Sequence, residues 1–206
     1  MDCSLPVGAQ DVGTQERNGV VETADFRKRA IQMATEDDLD RIARQERELQ
    51  WTSFNEDDAW QLGSTLRELA VERQLPIVID IRRFAPHLGN QAGAPLFYAA
   101  LHGTSPDNAE WARRKANTVA RLHRSSYAVG LALKARNLTL QEKYGLPVAD
   151  YVSHGGAFPI ALAGTGVIGS VTVSGLAQRD DHELVVEALC LERNRHYADL
   201  RLLAQD

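Results

Sequence analysis

Gly164, Gly166 and Gly169 spell G-x-G-x-x-G inside the stretch His154–Leu189, and what flanks them decides how the chain can fold. A dinucleotide-binding loop of this spacing follows a strand and opens a helix, so that a pyrophosphate meets the free N–H groups of the helix start. Here the glycines lie between Phe158–Ala163 and Ile168–Ser174. In the second segment Val171 and Val173 alternate with Ser170, Thr172 and Ser174, the two-residue period of a strand. The loop therefore joins two strands. The helix begins later, after Ser174-Gly175, and carries Asp180, Asp181 and Glu183 near its start. Those acids suit the helix dipole but would repel a phosphate. The segment predicts a β-hairpin followed by a helix, and argues against a nucleotide there.

The rest of the chain yields further elements. Residues 1–34 mix Gly, Gln, Asp and Thr without period and predict a mobile leader that adds little to the core, with a short helix near Ala24–Ile31. Thr35 followed by Asp38 resembles a capping box and opens a polar helix to about Gln50. Trp51–Phe54 predicts a short strand. Asn55 caps the next helix, in which Ala59, Leu62, Gly63, Leu66, Leu69 and Ala70 recur on one face. Pro76–Ile81 and Pro95–Leu101 read as partner strands around a turn at 84–94. Ser105-Pro106 starts a helix expected to reach Arg136, with a break near Gly130. A short helix follows at Thr139–Tyr144, and the last helix is expected over Asp180–Leu203. Hairpins flanked by helices predict an α+β domain over residues 35–206, with a mainly antiparallel sheet.

Length and charge narrow the function classes. A chain of 206 residues fits one domain with extensions. A net charge of −5 argues against a nucleic-acid partner, whose binding draws on phosphate neutralisation. No apolar run approaches the roughly 18 residues of a membrane span. No secretory h-region stands in the first thirty residues, and Cys3 and Cys190 do not form a disulfide framework, so a reducing cytoplasm is expected.

At this point the chain resembles the haem-degrading-domain family, the GlcG/HbpS-like proteins, and within it the cytosolic branch. The resemblance is carried by LPIVIDIR at Leu75–Arg82, GTSPDNAEWARRK at Gly103–Lys115, HGGAFPI at His154–Ile160 and GTGVIGSVTVSGLAQRDDHELVVEAL at Gly164–Leu189. It covers roughly Asp38 to Leu191. It implies a profilin-like domain with a five-stranded, mainly antiparallel sheet between helical layers, a homo-oligomer, and a link to haem. The chain departs from the family's bacterial pattern in its long leader and in the widened turn at His87–Ala94.

The candidate site residues follow from the same motifs. Lys115 borders the stripe Ala112, Ala116, Val119 and Leu122. A lysine at the edge of a core needs a partner, so it is either an anion anchor or lowered-pKa base, or a side chain whose stem covers apolar surface. His154 precedes Gly155 and Gly156, which would let a ligand approach the backbone; it reads as an acid/base group or, if haem binds, as the metal ligand. His102, Arg113, Arg114 and Phe158 complete the expected ligand-binding set. The start of the Ser105 helix is expected to face His154-Gly155-Gly156 and to favour an anionic ligand. His182 reads as structural, and Asp80 with Arg82 as a buried pair.

Three functions compete. The first is an oligomeric binding protein for haem or another planar or carboxylate-bearing anion. The second is a cofactor-free isomerase, cyclase or lyase using Lys115 and His154. The third is a non-catalytic oligomeric adaptor. Fold does not choose among them.

Overall fold

A computed structural model describes residues 32–85 and 90–204. Helix α1 covers residues 32–48. It is already helical three residues before Thr35, so the Thr35/Asp38 spacing does not mark a helix start; residues 32–34, expected in the leader, are part of it. The short helix expected at Ala24–Ile31 lies outside the described residues.

Helix α2, Glu56–Glu72, begins as expected. Asn55 Oδ1 accepts from the N–H groups of Asp57 and Asp58 at 2.8 and 3.0 Å, and Asp58 Oδ2 accepts from the Asn55 N–H at 2.8 Å. Reciprocal capping of this kind satisfies donors that the first turn leaves free. Ala59, Leu62, Gly63, Leu66 and Ala70 turn inward and are buried.

The sheet contains β1 (Val78–Ala85), β2 (Asn90–Ala100), β3 (Ala157–Leu162) and β4 (Gly166–Ser174), in the order β2-β1-β4-β3 with every pair antiparallel. Among the described residues, four strands stand where the resemblance implied five. The expected strand at Trp51–Phe54 is reduced to one parallel bridge, in which the Trp51 N–H donates to Ala161 O and the Ala163 N–H donates to Trp51 O, each at 2.8 Å. The chain leaves the sheet at once because it must reach the Asn55 cap. The β1–β2 ribbon is longer than expected. Pairing runs to Ala85↔Asn90, so most of the region read as a turn at 84–94 is strand. The glycine-rich loop is a tight hairpin turn between β3 and β4, with Gly164 and Gly166 at φ 77° and 112°.

Side chains alternate across the sheet. Ile79, Ile81, Phe158, Ile160, Val171 and Val173 pack with α2 and α6 (Gln178–Glu192) in the main core. Burying each such side chain stabilises the fold by roughly 1.5–3 kcal/mol. The opposite face, under α3 (Pro106–Leu122), is more polar, and there Asp80, Ser170, Thr172 and Ser174 are buried. Arg82 Nε closes the expected pair with Asp80 at 2.7 Å.

Two expected helices are divided. The one expected to run from Ser105 to Arg136 stops at Leu122, where His123 takes φ 54°, and α4 restarts at Ser126–Lys134 with Ser125 as its cap. Gly130 is not a break; it lies inside α4. The last helix ends at Glu192, Asn194 turns with φ 50°, and the short α7 covers Tyr197–Leu200. Between α4 and β3, α5 spans Leu140–Tyr144, capped by Thr139 and ended by Gly145.

Candidate functional site

The site is built where α3 crosses the sheet. Ser105 precedes Pro106, and Asn108 Oδ1 accepts from the Ser105 N–H at 2.8 Å, which fixes the start of the helix. Ala112, Ala116 and Val119 are small enough to lay α3 on the sheet. That approach carries Lys115 into the protein rather than along its border: it is 3% exposed. Nζ donates to Asp181 Oδ2 at 2.7 Å and to Val173 O at 3.2 Å. The other Asp181 oxygen accepts from the Leu176 N–H at 3.0 Å. Burial pulls the lysine below its ordinary range and pushes the aspartate above its own, while each charge opposes the other's shift.

Gly155 and Gly156 lie over this pair. Gly156 has φ 122°, and a β-carbon there would come 2.3 Å from Val173 O. A β-carbon on Gly155 would strike Gln178 O at 1.9 Å. The two glycines therefore let the loop close onto β4 and the start of α6.

His154 leads into this loop and is exposed. Its ring stacks on the indole of Trp111, with centroids 5.0 Å apart and planes 13° apart. The Arg114 guanidinium lies over the Trp111 ring, 4.3 Å from its centroid. Trp111 is itself held by an Nε1 bond to Asp107 at 2.8 Å. Partial desolvation of the ring against Trp111, then the Lys115 and Arg114 charges, lower the His154 pKa below its ordinary value and favour the neutral ring. Arg114 has few protein partners: its Nη1 is 3.5 Å from Val148 O, its Nε lies 3.8 Å from Glu110, and that buried Nε makes no hydrogen bond.

Trp111, Arg114 and His154 form part of the wall of a groove of about 1120 Å³. Tyr127, Leu131, Lys134, Arg179, Leu203 and residues of α1 complete its lining. The lining is largely apolar with a few convergent polar groups, the usual character of a small-molecule site, at the large end of the usual range.

The structure thus brings Lys115, Arg114, His154, Gly155 and Gly156 into one neighbourhood. The remaining residues expected at the site lie elsewhere or are otherwise engaged. Arg113 is committed to Glu110 at 2.6 Å, Asp150 at 3.2 Å and Ala149 O at 2.8 Å. His102 is exposed in the turn between β2 and α3 and does not line the groove. Phe158 faces the α2/α6 core, on the other side of the sheet from α3. His182 is fully buried, as a structural residue would be, and meets Gln45 at 2.9 Å. Sequence reasoning did not single out Trp111, Tyr127 or Arg179. Only Trp111 carried a local signal, three residues before Arg114 on one helix face.

Among the described residues, no helix is long and apolar enough to cross a membrane, and no cluster of three or more His, Cys, Asp or Glu is placed to hold a metal ion.

A family model described as haem-degrading protein HbpS-like matches residues 54–190. A UPF0303 protein of Paraburkholderia phymatum is 58% identical over 165 residues, which span 80% of this chain and 95% of that protein. The crystal structure of the Ybr137w protein superposes with a TM-score of 0.67 at 28% identity, covering 76% of this chain and 87% of that one. That of a PduOC–haem complex gives 0.56 at 19% identity, covering 67% and 94%, and shows a shared fold. The polar α3 face, the buried Lys115 pair and the His154 loop all fall within the matched span, and the chain belongs to the HbpS-like haem-degrading-protein family.

Proposed function

We propose that this protein binds a planar, carboxylate-bearing ligand in the groove beside Trp111, haem being the leading candidate. The observation that carries the reading is the cluster of Arg114, Trp111 and His154, in which the Trp111 ring meets both the Arg114 guanidinium and the His154 imidazole. It places an under-partnered cation and an imidazole of lowered pKa together in the lining of the groove. Arg114 is suited to hold a carboxylate, since a guanidinium pairs with one through two parallel bonds. His154, kept neutral, has a free lone pair for iron. Tyr127, Leu131 and Val148 supply apolar lining for a flat ring system. Haem itself would supply an iron centre that accepts an imidazole. The family description and the haem-bound PduOC neighbour support the same ligand class.

Lys115 enters this reading as a positioning residue. Its bonds to Asp181 and Val173 lie inside the protein, so it steadies the Gly155-Gly156 loop instead of meeting the ligand. That arrangement favours binding over proton transfer at Nζ. Self-association is part of the proposal, motivated by the exposed Trp60, Val71, Tyr98 and Leu191, and light scattering at micromolar concentration tests it.

A haemin titration followed by absorbance tests the ligand. The expected result is a saturable Soret shift that changes in position in His154→Ala and weakens in Arg114→Ala. Identical spectra and affinity in both variants would overturn the reading.

A further inference from the structure

The groove is lined by two arginines, and only Arg114 has been given a task. We propose that Arg179 is a second anion-binding residue of the groove, and that Asp38 holds it until a ligand carboxylate takes its place. The proposal rests on the reading that a carboxylate-bearing ligand enters the groove. It narrows that ligand to one with two separated anionic groups.

Arg179 stands in the first turn of α6 and lines the groove with Asp38, Tyr127, Gln178 and Leu203. Its Nη1 donates to Asp38 Oδ2 at 2.5 Å and its Nη2 to Asp38 Oδ1 at 3.3 Å. Nη2 also donates to Leu203 O. The Tyr127 hydroxyl oxygen is a further partner. Asp180 and Asp181 already answer the dipole of α6, so the guanidinium itself is the anion-binding group here. The carboxylate that meets this positive corner comes from α1, a separate element.

The way α1 is held makes exchange feasible. Residues 32–37 are exposed or half-buried, and Asp38 is the first buried residue of the described helix. Further along, Ile42 packs with Tyr127, Ala128, Leu131 and Leu202, and Gln45 Nε2 donates to Leu200 O at 2.8 Å. Those ties keep α1 in place when Asp38 lets go. Replacing one carboxylate by another leaves no buried cation unpaired. The Lys115–Asp181 pair offers no such route, because both partners lie beneath the Gly155-Gly156 loop.

The test uses the full chain with protoporphyrin IX, which has two carboxylates and no metal, and its dimethyl ester, which has none. Binding is followed by fluorescence. For the diacid, Asp38→Asn is expected to tighten binding and Arg179→Gln to weaken it, each by roughly tenfold, the scale of one charged hydrogen bond. The ester is expected to bind all three forms alike. In the unaltered chain, amide hydrogen exchange over residues 32–40 is expected to quicken with the diacid and not with the ester. If both variants bind the diacid as the unaltered chain does while Arg114→Ala loses it, the Arg179 proposal is overturned and the groove reading stands. If neither porphyrin binds, both fall. If Asp38→Asn does not fold, Arg179→Gln and the exchange experiment decide.

Discussion

A β-carbon at position 156 would lie 2.8 Å from Lys115 Nζ. The glycine of the HGG loop and the lysine of α3 are thus two halves of one contact, although 41 positions separate them in the chain (156 − 115 = 41). Gly156→Ala is expected to push the loop off the ion pair at a φ of 122° that a side chain tolerates poorly. Its denaturation midpoint falls, and weakened haemin binding accompanies the loss. Unchanged binding in a folded variant would separate the loop from the site.

The Lys115–Asp181 pair predicts a double-mutant pattern. Lys115→Met leaves Asp181 buried and alone, which costs about 3–5 kcal/mol. Asp181→Leu alone costs a similar amount, while the double variant recovers most of it. Urea unfolding of the four proteins measures the coupling, and additive losses would contradict it.

Gly130→Ala reverses the ordinary helix rule. In an exposed helix interior the change gains about 1 kcal/mol. Here the new β-carbon would stand 2.0 Å from Ser153 O. The variant is expected to lose stability and to shift the His154 loop, seen as a change in Trp111 fluorescence.

His182 predicts a loss of stability in acid. Burial lowers its pKa from 6.5 to about 3. Between those values the unfolded chain takes up a proton that the folded chain refuses, so stability falls as pH drops through that window. The full effect is at most about 5 kcal/mol. Comparing unfolding at pH 7 and pH 4 in the unaltered protein and in His182→Gln isolates it, because the variant lacks that share of the slope.

The His154–Trp111 stack has its own titration. Desolvation, Lys115 and Arg114 all depress the imidazole pKa. A protonated imidazole against the indole quenches it, so Trp111 fluorescence is expected to drop with a midpoint below 6.5, and His154→Ala abolishes the step. A midpoint above 6.5 would show that the cations do not govern the ring.

The β3–β4 hairpin, the Asn55 cap and the Asp80–Arg82 pair were legible because each is a local pattern: alternation, a capping spacing, a charge inside an apolar strand. The break at His123 was not. It uses a left-handed residue that is not glycine, while Gly130 nearby draws the eye yet serves a close approach. Lys115 was recognised as needing a partner, but Asp181 lies 66 positions away, where its acidity already had a sufficient explanation in the helix dipole. The contact of Trp111 with Arg114 is local to the helix, but its contact with His154 joins segments 43 positions apart (154 − 111 = 43) and is set by the tertiary fold.

The Trp51 bridge shapes how this sheet can grow. At one edge, Trp51 pairs only with the end of β3 before the chain turns away into a helix cap. The other edge, β2, spans eleven residues, and among the described residues no strand pairs with its outer side. Two copies meeting through β2 would pair antiparallel, close on a two-fold axis and stop there, which makes a dimer rather than an open array the natural product of that edge.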